Sequence, residues 1–290
     1  MKSIALNEKN DKRKNSRRKD MLIRTIVAVI GIFCCLFVIF KLPHYYSIGL
    51  ISTIFMLMAY EGTKGTGLVK NTFLIILSII SAGIMPCLAH KNAPTEIILL
   101  LLFAVIVCAF IYLMLRYDSV SLQELICTIG FGGVLPLFST LFVDVLESTN
   151  GKLLFILIFI VAWAPDSLAY TIGSFFGKHK LFPQISPKKT VEGFIGGIAG
   201  GILGSVVYGI ILTIKDYQIN WTAFIVLGVI GAVLGSLGDL FFSYLKRNFK
   251  IKDFGNLLPG HGGVLDRFDS VLFVLPVCNI VFKFWEVIIK

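Results

Sequence analysis

Apolar residues in this chain run in long unbroken stretches, joined by short polar or glycine-containing segments. Windows of about 20 mostly apolar residues, the length a helix needs to cross a hydrocarbon core, recur from Leu22 almost to the C-terminus. Inside lipid every backbone polar group needs an internal partner, which leaves helices or a closed barrel. Continuous runs, in place of short alternating ones, select helices. The pattern predicts an all-α polytopic membrane protein with about nine spans, near 22–42, 44–60, 72–90, 96–116, 122–145, 151–173, 194–214, 221–245 and 268–289. The first run is too long for a secretory h-region and lacks a small-residue cleavage site, so it is expected to be a retained helix.

Composition agrees with this solvent. Of 290 residues, 56% are hydrophobic and 15% charged, where a soluble domain carries about 25% charged residues. The net charge of +10 raises the question of nucleic acid, and the placement of the charges decides it. If the N-terminus is cytoplasmic, 21 of the 27 Lys and Arg fall on the cytoplasmic side of nine spans. That asymmetry is the positive-inside bias. It places the tail and the long loops 174–193 and 246–267 in the cytoplasm, in a multi-pass protein of the cell (inner) membrane. The basic tail, 1–21, is expected to lie near anionic headgroups, and no aromatic or groove-reading motif accompanies it, so no nucleic-acid partner is expected. The six cysteines sit in apolar spans without CxxC spacing and read as packing residues.

The chain divides in character. Residues 22–145 are rich in Ile, Leu and Phe, nearly free of internal charge, and read as a transmembrane scaffold. In 146–290 carboxylates enter or border the spans, glycines cluster and the loops carry both signs, so the catalytic region is expected there. The absence of an evident internal repeat weakens an ion-coupled transporter reading.

An ionised carboxylate near mid-bilayer costs at least about 2.5–3.5 kcal/mol, so each one needs compensation. Asp166 follows Pro165 in the sixth span, where the proline should kink the helix; Asp239 lies near the cytoplasmic end of the eighth; Asp266 and Asp269 open the ninth, three residues apart on one helical face. Acids from three spans meeting at one boundary would form an oxygen-rich pocket suited to Mg2+. The loop 253–263, from Asp253 through His261, Gly262 and Gly263, packs four glycines and a proline before a helix start, a form suited to phosphate. Lys246, Arg247, Lys250 and Lys252 could clamp a triphosphate or a lipid phosphate, as could the ordered-looking stretch Ser186 to Gly193. Glycine stripes at 193–204 and 228–238 read as close helix packing.

The run Ser243-Tyr244-Leu245-Lys246-Arg247, then Lys252-Asp253, Gly255, Leu258-Pro259, His261-Gly262-Gly263 and Asp266-Arg267-Phe268-Asp269 resembles the signature of phosphatidate cytidylyltransferases, also called CDP-diacylglycerol synthases. Each fixed position of that 27-residue signature is filled, near the C-terminus of a polytopic chain as in the family. Asp166 to Tyr170 and Ser186 to Gly193 are similar to shorter family segments. The resemblance implies transfer of CMP from CTP to phosphatidic acid, giving CDP-diacylglycerol and pyrophosphate, with Mg2+ required and a homodimer expected. Asp239, Asp266 and Asp269 then correspond to metal-binding acids, and Lys188, Lys189, Lys246 and Arg247 to phosphate binders. The candidate catalytic set adds His261 and Arg267. Candidate substrate contacts are Asp166, Tyr170, Ser186, Lys188, Lys189, Thr190, Glu192, Lys252, Asp253, Gly262 and Gly263. Phosphatidate brings its own anionic oxygen, so the site must supply alignment and charge neutralisation more than a strong base. A related CTP-dependent enzyme acting on a polyprenol or an archaeal-type lipid is the alternative, since lipid grooves are not legible in sequence.

Overall fold

A computed structural model of the chain describes residues 29–91, 93–258, 260 and 262–289. The basic tail and the start of the first predicted span lie outside the described residues. Within them a helix stands at each predicted span: α1 (Val29–Lys41), α2 (His44–Tyr60), α3 (Thr72–His90), α4 (Thr95–Leu115), α5 (Leu122–Thr128) running on into α6 (Leu135–Glu147), α7 (Gly151–Phe176), α8 (Val191–Thr213), α9 (Trp221–Asn248) and α10 (Leu265–Phe284). Six of these stretches are long and apolar enough to cross a membrane: α3, α4, the α5–α6 unit, α7, α8 and α9. The fold is an all-α polytopic bundle.

Polar residues set the helix ends. Asn71 caps α3 by accepting the Phe73 N–H at 3.0 Å, and Asn220 caps α9 by accepting that of Ala223 at 3.1 Å. Ser121 and Glu124 form a capping box at α5, and the same buried Glu124 accepts the Lys70 N–H at 2.7 Å, fixing the preceding loop. Helix α9 ends in a Schellman arrangement, in which the Ile251 N–H returns to the Lys246 carbonyl at 3.0 Å and the Lys250 N–H to that of Arg247 at 3.1 Å. Lys250 occupies the left-handed position there, with φ 56°.

Three features depart from the predicted pattern. The span at 122–145 is not one regular helix, because π-helical turns at Ile129–Val134 separate α5 from α6, and the Gly132 carbonyl turns aside to accept the Ser81 hydroxyl. Helix α7 covers the predicted sixth span, with Pro165 inside it, and runs on to Phe176. The loop 174–193 contains an antiparallel hairpin, β1 (Lys180–Phe182) with β2 (Ser186–Thr190), Lys180 opposite Thr190. At the other end of the bundle β3 (Gln218–Ile219) pairs with β4 (Ile288–Ile289). All four strands lie outside the helices, where backbone polar groups have no helical partner.

One buried cluster runs from Ile39 and Phe55 through Phe142 and Ile158 to Leu272 and Ile288, so the scaffold and the C-terminal region share a core. The glycine stripes bring α7, α8, α9 and α10 into backbone contact. A Cβ on Gly228 would stand 2.6 Å from the Gly201 carbonyl oxygen, and one on Gly238 would stand 2.6 Å from that of Asp269. The close approach of α9 to α10 at Gly238 is what sets Asp239 beside the start of α10.

Gly228→Ala is therefore expected to destabilise the protein by about 1–3 kcal/mol through overpacking. Gly49→Ala, on α2 with nothing within 4 Å of its Cβ position, should be neutral or gain up to about 1 kcal/mol. Thermal unfolding of the two variants in one detergent checks the contrast in sign.

Candidate functional site

The hairpin is held over the ends of α7 and α9 by Thr190 at its end and Glu192 in the first turn of α8. Glu192 accepts the N–H groups of Lys178 at 3.1 Å and His179 at 3.2 Å, and its other oxygen lies 2.6 Å from His179 Nδ1. Thr190 caps α8 by accepting the Gly193 N–H at 3.1 Å. So fixed, β2 directs Lys189 downward. Its Nζ lies 2.7 Å from Asp239 Oδ2 and donates to the Ser236 carbonyl at 3.2 Å. Arg247, exposed at the end of α9, donates from Nε to the Ile185 carbonyl at 3.5 Å and ties the hairpin's turn to that helix.

Between these elements opens a cavity of about 590 Å³. Asp166, Tyr170, Ser186, Lys188, Lys189, Thr190 and Asp239 all line it. Residues singled out on the sixth span, the loop that follows it and the eighth span thus meet at one place. Thr190 and Glu192 have structural tasks there, one capping a helix and the other clamping the hairpin.

The glycine loop is built around a second set of contacts. Asp266 is buried, and one of its oxygens pairs with Lys246 Nζ at 2.6 Å. The other oxygen accepts the N–H groups of Phe254 at 2.8 Å and Gly263 at 3.1 Å. Lys246 Nζ also lies over the Phe254 ring, 5.6 Å from its centroid. Gly260 and Gly262 take φ of 77° and 83°, a conformation that glycine adopts without strain, and the Leu258 N–H closes the turn on the Gly262 carbonyl at 3.1 Å. Lys252, Asp253 and Arg267 are exposed around it. His261 lies outside the described residues.

Sequence reasoning missed Glu61. This carboxylate at the end of α2 is fully buried and accepts the Leu265 N–H at 2.9 Å, while its Oε1 is buried without a hydrogen-bond partner. Gly255 and Gly263 sit flush against it, leaving no room for a Cβ. The available signal was an acid followed by Gly62 and Gly65 at the end of an otherwise apolar run.

The acids do not form a single triad. Asp166 and Asp269 each lie close enough to Asp239 to feel its charge. Asp269 Oδ1 accepts the Ser270 N–H at 2.7 Å, and Asp266 is turned toward Lys246 and the loop. Among the described residues, Asp239, Asp266 and Asp269 do not form a group of three whose ligand oxygens all lie within 4.8 Å of one another. What the cavity offers is a cationic wall, Lys188 and Lys189, facing an acidic floor, Asp166 and Asp239. Such a pairing suits a polyphosphate carried with a hard divalent cation.

Comparison with known proteins agrees with this chemistry. A phosphatidate cytidylyltransferase of Staphylococcus saprophyticus is 36% identical over 272 residues, covering 90% of this chain and 98% of that protein. One of Staphylococcus aureus (strain COL) is 34% identical over 274 residues, with the same coverage. A phosphatidate cytidylyltransferase of Staphylococcus haemolyticus is 48% identical over 122 residues, 42% of this chain and 46% of that protein. The model of the cytidylyltransferase family matches residues 22–285, nearly the whole described bundle, and the chain belongs to that family.

Proposed function

We propose that this protein is a phosphatidate cytidylyltransferase of the cell membrane, using CTP and phosphatidic acid to make CDP-diacylglycerol and pyrophosphate. The observation that carries the reading is the Lys189–Asp239 contact across the cavity, which joins the basic hairpin to the acidic end of α9. In the reaction a phosphatidate oxygen bonds to the α-phosphorus of CTP, and the bond from that phosphorus to the bridging oxygen of pyrophosphate breaks. Lys188 and Lys189 are placed to neutralise the triphosphate. Lys246 and Arg247 hold the loop and hairpin in register with it. CTP enters from water over the hairpin, and the lipid reaches the phosphates laterally between helices.

Magnesium fits the donor set. Asp166 and Asp269 each crowd a like charge against Asp239, with Lys189 beside the first pair and Lys246 near Asp269, an arrangement that a divalent cation relieves. Asp239 and Asp269 would hold it, with Asp166 nearby, while Asp266 acts through Lys246 and the loop. Bound there, it supplies charge neutralisation for the triphosphate and the departing pyrophosphate. The bias of basic residues supports a cytoplasmic N-terminus and a site facing the cytoplasm. A homodimer is the assembly that the family resemblance suggests.

Purified protein given CTP labelled at the α-phosphate, phosphatidate and Mg2+ should move label into an organic-soluble lipid, and diacylglycerol in place of phosphatidate should give none. Efficient labelling of diacylglycerol or a polyprenol would assign a different lipid enzyme. Asp239→Asn should lower turnover by about 10²–10³, the usual loss for a charge-stabilising group. Asp144→Asn, which alters an exposed pair with Lys283 at 3.1 Å, should leave turnover nearly intact. Equal rates for the two variants would remove Asp239 from the reaction.

A further inference from the structure

The end of the bundle away from the cavity holds a cluster that the proposed reaction does not use. His44 begins α2, His90 ends α3 and Glu147 ends α6, so three separate helices bring these side chains together. Because α2 spans 17 residues between His44 and the Glu61 turn, the cluster stands roughly 25 Å from the glycine loop. His90 Nδ1 lies 2.6 Å from Glu147 Oε1, and His44 Nε2 lies 3.5 Å from the same oxygen. One ligand atom from each of the three residues falls within 4.8 Å of the others. The two rings are tilted against each other with centroids 5.4 Å apart.

We propose that His44, His90 and Glu147 form a site for a divalent transition metal of the zinc type. Two imidazoles and one carboxylate are a donor set that zinc accepts, with a fourth position left for water, whereas magnesium prefers oxygen alone. A tetrahedral ion with bonds of about 2.0–2.2 Å sets its ligand atoms about 3.4 Å apart, close to the His44–Glu147 separation. His44 Nε2 is itself buried and makes no hydrogen bond, an unusual state for a ring nitrogen that has a carboxylate at this distance. The 2.6 Å contact of His90 with Glu147 is a short hydrogen bond that holds one proton between ring and carboxylate. The ion takes the place of this proton, and the pair opens by under about 1 Å to admit it. The three side chains are 33%, 36% and 26% exposed, so an ion from solution reaches them. Occupancy ties the ends of α2, α3 and α6 together.

The test uses full-length protein purified without a polyhistidine tag, stripped with chelator and titrated with ZnCl2 by calorimetry. Wild type should bind one Zn2+ per chain, and about 5 mM Mg2+ should not displace it. Binding should release protons and strengthen as the pH is raised, because the ion competes with protons for its ligands. His44→Ala and Glu147→Gln, each confirmed monodisperse, should weaken binding by at least about tenfold. His179→Ala and Asp239→Asn, at the cavity end, should not. Replacing Zn2+ by Co2+ should give the visible absorption of a tetrahedral ion in wild type and lose it in His44→Gln, a milder change. No saturable binding by wild type, binding unchanged in both His44→Ala and Glu147→Gln, or binding abolished by Asp239→Asn would each overturn the proposal.

Discussion

The Asp266 carboxylate is the centre from which the active end of this protein is organised. A loop with four glycines has a large conformational entropy to lose and little side-chain surface with which to hold a shape. Its shape comes from outside, as Asp266 accepts N–H groups from Phe254 and Gly263, nine residues apart in the chain, and pairs with Lys246 from the preceding helix. Both partners of that ion pair are buried, so removing one leaves the other unpaired, a loss of about 3–5 kcal/mol in comparable cases. Glu61 completes the frame from α2 by accepting the Leu265 N–H at the first turn of α10.

From this centre the geometry extends to the cavity through α9. Lys246 and Arg247 are consecutive on the last turn of that helix and point to different tasks, the first inward to Asp266 and the second outward to the Ile185 carbonyl. Two turns earlier Asp239 meets Lys189 from β2. One helix therefore sets the glycine loop, the hairpin and the acidic floor in register with one another, and the glycine contacts of α9 with α8 and α10 keep it in place. Close backbone packing in lipid supplies rigidity where water-driven burial cannot.

Much of this was legible in the chain. The apolar run at 72–90 is α3 to the residue, because Asn71 stops the pattern at one end and Lys91 at the other. The long-range order was harder to read. A polar residue's partner is invisible when that partner is a backbone N–H. Glu61 answers an amide 204 positions away, and Asp266, which carries the charge and spacing of a metal ligand, spends its oxygens on the loop. The π-helical turns at 129–134 were likewise hidden within a continuous apolar stretch, since they arise from contact of Gly132 with α3 and not from a break in hydrophobicity. Asp166 and the Ser186 to Thr190 stretch were recognised separately, and only the folded hairpin brings them to a common cavity.

Hydrogen exchange at the glycine loop tests most directly whether Asp266 builds this end of the molecule. Peptides covering Phe254 and Gly263 should be protected in the wild type and lose that protection in Asp266→Asn, while α3 and the centre of α9 exchange as before. Unchanged protection at Phe254 and Gly263, together with lost turnover, would contradict the account and return Asp266 to the role of a metal ligand.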